Sequence, residues 1–260
     1  MNSNLETNLQ AASIAPTAGR PPVSYLAPTL LADSDNARVA SLSAELTAGC
    51  ASDQQKADRI AHFVKNAIAT GLSASGDETS ASALLQGGMG NETAKATLVV
   101  ALARAAGIPA RIHVGRFDKK ICREVVPAWI HLALPQNVSI AWAELYVNGH
   151  WQPRPDAAYD DAYESGAACH LEEKGRTTGA GLVPLATRQG WNARLAHLPL
   201  VADEGTFRDV MDYLWSDAYP TPRGHPVIGW LLSPLGRDEV GRRIALMREK
   251  GRTCTEQIAA

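Results

Sequence analysis

Four cysteines and one carboxylate are the residues whose types and positions point most directly to chemistry. Cys50, Cys122, Cys169 and Cys254 are widely spaced, and no two of them form a Cys-x-x-Cys pair. This spacing favours free thiols over a disulfide framework or a structural zinc site, so we expect no bound metal. Glu92 stands at the start of an Ala-rich helix candidate, where the free N–H groups and the helix dipole favour a negative charge.

The helix candidate that begins at Glu92 is the central element of the prediction. Residues Asn91 to Ala106 predict a long helix that is nearly apolar from Leu98 onward, so most of its surface should be buried. Gly107 ends this helix and Pro109 prevents its continuation. Two amphipathic helices, 34–49 and 53–71, and a polar loop at 73–78 precede it, followed by a helical turn at 81–86 and a flexible lead at 87–90.

An antiparallel sheet is predicted after the central helix. Ala110 to Val114 and Ser139 to Val147 have strand patterns, and Asn148-Gly149 is a strong two-residue hairpin signal before a partner strand from His150 to Arg154. Residues 118–138 between these strands predict an irregular segment. Farther on, 160–199 shows no clear period, and helices are expected at 206–215 and 237–250 with a Pro/Gly-rich turn region at 219–226.

Two sequence motifs resemble those of the transglutaminase-like, papain-related superfamily. They are RAAGIPAR (Arg104 to Arg111) and AWAELYVNGHW (Ala141 to Trp151), and a looser similarity runs from Tyr25–Thr29 to Gly205–Val210. The resemblance implies an α+β, transglutaminase-like/papain-like fold in which a central buried helix packs on an antiparallel sheet behind a helical N-terminal part. It also implies three regions: a mobile tail at 1–22, the transglutaminase-like domain at 23–215, and an extension at 216–260 packed on the same domain.

The same resemblance implies that the usual catalytic residues are replaced. The family begins its helix with a nucleophilic Cys, and Glu92 occupies that position here. Ile140 stands where the next strand should present a His, and Pro155 stands at the position of the Asp, with Asp156 one residue later. Covalent thiol chemistry needs a thiolate and an imidazole that takes and returns its proton. We therefore predict a scaffold without that chemistry.

Glu92 and its neighbours allow more than one interpretation. Glu92 is either an ordinary helix-start residue capped by Asn91 or a partly desolvated general acid/base in the ancestral cleft. His131 is either a structural residue or a second catalytic group, and Asp156 is either a turn residue or a second carboxylate. Trp142 lies on the same strand face as Ile140 and is either a core residue or a cleft wall. With Asn91, Ile140 and Trp142 are the candidate substrate-binding residues.

Three functions remain open at this point. The first is an acid/base enzyme of isomerase, cyclase or dehydratase type that acts on a small or carrier-bound metabolite without a cofactor. The second is a non-catalytic protein that binds a ligand or a peptide. The third is an amidase or acyltransferase with a relocated thiol, for which Cys122 and the adjacent Cys169-His170 are the candidates.

The composition excludes several partner classes. Charged residues make up 20% of the 260 residues and the net charge is −2, so the sequence shows no electrostatic footprint for nucleic acid or an anionic membrane. The first 22 residues lack the basic start and apolar run of a secretory signal. We therefore expect a cytoplasmic protein with a small-molecule partner, and the sequence leaves its oligomeric state unknown.

Overall fold

The computed structural model describes residues 23–176, 179, 200–217, 219 and 225–259, with side chains as far as Cys254. The predicted tail, most of the predicted turn region and much of the aperiodic stretch lie outside the described residues. The helices are α1 (Ala37–Thr47), α2 (Asp53–Ala67), α3 (Ala81–Gly87), α4 (Glu92–Ala105), α5 (Ala128–Ala133), α6 (Asp161–Glu173), α7 (Val210–Leu214), α8 (Pro226–Leu232) and α9 (Pro234–Ala259). None of the helices in this part of the chain has the length and apolarity to span a bilayer.

The predicted central helix is confirmed as α4. Every residue from Thr93 to Arg104 is buried, because the sheet covers one side of the helix and α1, α2 and α3 cover the other. Asn91 caps the helix by accepting a hydrogen bond from the backbone N–H of Ala94 at 3.0 Å. At the other end, buried Arg104 donates to the carbonyl oxygens of Ala110 and Ala27 at 3.0–3.2 Å. The ends of α4 are therefore fixed by polar contacts.

A four-stranded antiparallel sheet packs against α4, as the sequence predicts. Its strands are β3 (Ala110–Asp118), β4 (Asn137–Val147), β5 (His150–Pro153) and β6 (Leu200–Phe207), in the order β5-β4-β3-β6. Successive residues of β4 point to opposite faces. Ala141, Ala143 and Leu145 enter the main core with α4, whereas Trp142 packs with Phe117 in a separate cluster on the other face. The predicted α+β fold class, with a central buried helix packed on an antiparallel sheet, is thus confirmed.

Four local predictions are wrong. The flexible lead contains β2 (Met89–Gly90), which pairs in parallel with β1 (Ala69–Thr70). Helix α5 lies in the segment predicted to be irregular, and α6 lies in the stretch without a clear period. The helix predicted from residue 206 begins only at Val210, because residues 206 and 207 end β6. In each case tertiary pairing or packing decided the structure of a segment with a weak local pattern.

The hairpin between β4 and β5 provides a direct test of the strand register. Asn148 and Gly149 have φ values of 54° and 83°, as a two-residue turn of type I′ requires. We expect Gly149→Val to lower the free energy of unfolding by about 1 kcal/mol or more, because a β-branched residue is strained at positive φ. Chemical denaturation of both proteins measures the difference, and an unchanged unfolding midpoint would contradict the turn assignment.

Candidate functional site

A cavity of about 210 Å³ lies at the N-terminus of α4. Apolar side chains form most of its lining. The polar groups that reach it include Asp77, Asn91, Glu92 and Tyr159, and hydrogen bonds connect these in two pairs. A cavity of this kind, apolar with a few convergent polar groups, is typical of a small-molecule site.

The strands β1 and β2 hold the first residue of α4 at this cavity. The backbone N–H of Gly71 donates to the carbonyl of Gly90 at 3.1 Å, directly before the helix. A side chain at position 90 would collide with its surroundings, because a Cβ added to Gly90 would lie 2.6 Å from Cδ1 of Leu84. This close packing places Asn91 and Glu92 on the cavity wall.

Asp77 is a cavity carboxylate that sequence reasoning did not identify. Its Oδ1 accepts a hydrogen bond of 2.6 Å from Nδ2 of Asn91. The residue is half-buried, and desolvation of its carboxyl raises its pKa, with a further contribution from the negative charge of Glu92. Asp77 lies in the polar loop that the sequence predicts, where acidic residues are common, so nothing local distinguished it.

Glu92 accepts a hydrogen bond of 2.7 Å from the hydroxyl of Tyr159. The Tyr159 ring is buried and stacks on Tyr163, with the ring centroids 5.2 Å apart. Burial raises the pKa of Tyr159 well above its ordinary value, and the charge of Glu92 raises it further. Tyr159 therefore keeps its proton and remains a hydrogen-bond donor to the carboxylate.

The remaining walls come from two parts of the chain that the resemblance did not explain. The segment between β3 and β4 contributes Ile121, Val126 and Leu134. From the C-terminal part, α8 contributes Leu231 and α9 contributes Ile244. These residues make the cavity a small chamber beside α4.

The structure brings three of the six predicted site residues to this cavity: Asn91, Glu92 and Ile140. Trp142 is buried in the core and stacks on His113 at a centroid distance of 4.5 Å. His131 and Asp156 do not line the cavity either. The Nε2 atom of His131 lies 3.1 Å from the carbonyl oxygen of Lys119. Asp156 instead forms an ion pair of 3.1 Å with Arg154, and its side chain is 37% exposed.

The two candidate thiols, Cys122 and Cys169, lack the surroundings of a catalytic nucleophile. Cys122 lines the cavity, but burial, together with the charge of Glu92, raises its pKa to about 12. Burial and a hydrogen bond with Cys254 raise the pKa of Cys169 to about 11. The neighbouring imidazole of His170 pairs with Glu124 at 3.1 Å. Because the thiolate is the reactive form, neither thiol is activated at neutral pH.

The sheet contains a second polar cluster, centred on buried His113. Its Nδ1 lies 2.8 Å from Oε1 of Glu144, and its Nε2 lies 2.9 Å from Oδ1 of Asp203. Burial by itself lowers the pKa of His113, but the hydrogen bonds and charges of the two carboxylates outweigh it, and the net shift is upward from 6.5. The cluster joins β3, β4 and β6 away from the cavity. Within the described residues, no group of His, Cys, Asp and Glu side chains is arranged to hold a metal ion.

The His113 cluster predicts a pH-dependent stability. A raised pKa means that the folded protein binds the proton more tightly than the unfolded chain, so the stabilisation is complete below about pH 6 and is lost as the pH rises through the raised pKa. We expect the difference in unfolding free energy between wild type and His113→Gln to be larger at about pH 6 than at about pH 9. Denaturant titrations at both pH values measure it, with His150→Gln on the exposed hairpin as control. Equal differences at the two pH values would contradict this interpretation.

One protein family and two solved structures resemble this chain. The family model of the transglutaminase-like superfamily matches residues 40–154. Among solved structures, the chain is similar to a putative cysteine protease from Cytophaga hutchinsonii, with 21% sequence identity and a TM-score of 0.46 over 73% of this chain and 48% of that one. It is also similar to a putative protease from Parabacteroides distasonis, with 17% identity and a TM-score of 0.34 over 48% of this chain and 25% of that one.

The chain thus spans about half the length of the first of these structures and a quarter of the second. No curated protein matches it. The matched segment contains α4, the GIPAR turn that joins it to β3, and the β4–β5 hairpin with the NGHW motif. Residues 40–154 of this chain therefore resemble the transglutaminase-like superfamily.

Proposed function

We propose that this protein is an acid/base enzyme that acts on a small molecule, or on the small terminal group of a carrier-bound one, without thiol chemistry. Glu92 is the principal proton-transfer group, and Asp77 is the second. The reaction belongs to a class that moves protons without a covalent intermediate, such as an isomerisation, a cyclisation or a dehydration. The observation that carries this proposal is the pair of carboxyl groups at the wall of one apolar cavity.

The two carboxyl groups have different surroundings, which suits them to different roles. Asp77 has a raised pKa and accepts a hydrogen bond from the amide of Asn91. Glu92 accepts one from the Tyr159 hydroxyl, which stabilises a carboxylate. In this mechanism Glu92 removes a proton from the substrate and Asp77 delivers one, as in other sites where neighbouring groups separate the acid and base roles.

The cavity also argues against proteolysis by this site. Its volume of about 210 Å³ is below the range of 300–1,000 Å³ that is ordinary for ligand pockets, and an extended polypeptide needs a longer cleft. Ile140, which lies on the cavity wall, has no proton to exchange. With the Cys122 thiol protonated and no histidine among the described residues that line the cavity, the site lacks the thiolate and the imidazole base that thiol-dependent amide hydrolysis requires.

Deuterium uptake tests the proposal while the substrate is still unidentified. The purified protein is incubated with a small-metabolite extract in heavy water, and mass spectrometry follows every compound. We expect at least one compound to change its abundance or gain deuterium with wild type but not with Glu92→Gln, because a general base exchanges the abstracted proton with solvent. If no compound responds to wild type, the non-catalytic ligand-binding function replaces the enzymatic one.

A cysteine substitution separates acid/base from thiol chemistry. We expect Cys122→Ala to retain the wild-type rate within about threefold, because the thiol takes no part in proton transfer. Both proteins should also fail to attach dansylcadaverine to casein. The rate of the responsive compound measures the first effect, and fluorescence of the recovered casein measures the second. Loss of turnover in a folded Cys122→Ala protein would favour the relocated-thiol enzyme.

A further inference from the structure

The charges around Glu92 are largely balanced by the protein itself. On the neighbouring helices, two cations already have carboxylate partners within the described part of the chain: Lys65 pairs with Glu164 at 3.0 Å, and Arg248 pairs with Asp160 at 2.6 Å. Neither cation lines the cavity. A ligand in the cavity therefore makes no contact with Lys65 or Arg248.

Lys95 contributes a buried positive charge near Glu92. It lies one helical turn after Glu92 on α4, is fully buried, and donates to the carbonyl oxygens of Lys65 and Ala158 at 3.1 Å each. Burial lowers the pKa of Lys95 to about 8, while the charges of Asp160 and Glu92 act in the opposite direction. The positive charge of Lys95 therefore offsets part of the negative charge of Glu92.

The cavity walls offer no cation to a negatively charged ligand. No Lys, Arg or His is among the described side chains that line the cavity. A carboxylate or phosphate would meet Glu92 without a cation in contact, and like charges brought together in this way disfavour binding. An ammonium group would lose its hydration against the apolar walls, and the positive charge of Lys95, one helical turn from Glu92, offsets part of the attraction of the Glu92 carboxylate for it.

The volume sets the size of the group that the cavity can hold. An apolar cavity of about 150 Å³ holds benzene, so about 210 Å³ accommodates a ring with a few additional atoms. Apolar contacts come from Ile121, Ile140 and Leu231 on three walls. Glu92 can accept a hydrogen bond from a ligand hydroxyl, and Asp77, whose raised pKa favours the protonated form, can donate one to a ligand oxygen.

From these observations, and resting on the proposed function of the same cavity, we infer that the substrate is an uncharged small molecule. It consists of an apolar body about the size of one ring that bears a hydroxyl or an enolisable carbonyl group. The oxygen of that group lies between Glu92 and Asp77, and the apolar body packs against the isoleucine and leucine side chains. Acids, phosphates and amines of the same size are excluded.

Three probes of equal size and different charge test this inference: benzyl alcohol, benzylamine and benzoate. Calorimetry or ligand-observed NMR at pH 7 measures the Kd of each for wild type. We expect benzyl alcohol to bind most tightly, with benzylamine at least about threefold weaker and benzoate at least about tenfold weaker. In Glu92→Gln the penalty against benzoate should fall below about threefold, because the opposing charge is gone.

Two variants on different walls locate the bound probe. Ile140→Phe and Leu231→Phe each fill part of the cavity, and each should weaken benzyl alcohol binding at least about tenfold, whereas Asp156→Asn outside the cavity should not. Circular dichroism identifies any variant that fails to fold. If one wall variant does not fold, benzyl alcohol binding to the other one decides the test. The inference is overturned if benzylamine or benzoate binds as tightly as benzyl alcohol, if none of the probes binds, or if a folded wall variant binds normally. Because these are equilibrium measurements, such a failure leaves the deuterium-uptake test of the proposed function unaffected.

Discussion

Glu92→Gln is expected to lower turnover by about 100-fold or more, with ligand affinity and stability close to those of wild type. The amide has nearly the same size and can still accept the hydrogen bond from Tyr159, which measures 2.7 Å in the structure. It cannot accept a proton from a substrate. The initial rate of deuterium uptake by the responsive compound measures the effect, and thermal unfolding confirms that the variant is folded.

Asp156→Asn is the matched control for this substitution. Asp156 is also a carboxylate and follows the β4–β5 hairpin, but it pairs with Arg154 and does not line the cavity. Loss of this carboxylate should leave turnover unchanged, because a partly exposed ion pair contributes little.

Near-wild-type turnover in Glu92→Gln would reduce Glu92 to a helix-start residue. Glu92→Cys should not create transamidase activity, since Ile140 cannot serve as the base for the new thiol.

Gly166→Ala is expected to cost at least about 3 kcal/mol of unfolding free energy, and to abolish ligand binding with it. Helices α6 and α9 touch through their backbones at this residue, and an added Cβ would lie 1.6 Å from the carbonyl oxygen of Met247. Backbone atoms cannot move aside as a flexible side chain can, so the two helices must separate. Ile244 of α9 lines the cavity, and the separation would therefore open that wall.

Gly241→Ala is the control for this helix contact. Gly241 lies on α9 as well, and an added Cβ there would meet nothing within 4 Å. Because alanine favours the helix over glycine, this variant should be unchanged or more stable by up to about 1 kcal/mol. Denaturant unfolding compares the two variants. Similar stability of Gly166→Ala and Gly241→Ala would contradict the close crossing of α6 and α9.

Distance along the chain explains why the sequence did not predict Asp77 or the His113 cluster. Asp77 and Asn91 are 14 residues apart and meet only because β1 and β2 bring the preceding loop to the start of α4. His113 meets Glu144 and Asp203 because three strands are adjacent in the sheet. The pKa of a titratable group depends on contacts with residues that are distant in sequence. A single sequence shows only which residues are close along the chain.

Helix α6 shows the same limit for secondary structure. Tyr163, Gly166 and Leu171 are all buried, but so is Glu164, and α9 covers the small residues between them. A helix that is enclosed on more than one side lacks the single apolar stripe from which helices are recognised. Its sequence therefore showed no period although the helix is 13 residues long.

The sequence by itself determined the central helix with Glu92 at its start, the hairpin at Asn148-Gly149 and the superfamily resemblance. These features depend on apolar spacing, helix caps and turn residues, which act over a few positions along the chain. Only the tertiary structure decided that Asp77 accompanies Glu92, that His131 and Asp156 lie elsewhere, and that α8 and α9 complete the cavity. Those outcomes depend on contacts between distant segments, and desolvation of a carboxyl group exists only after the chain has folded around it.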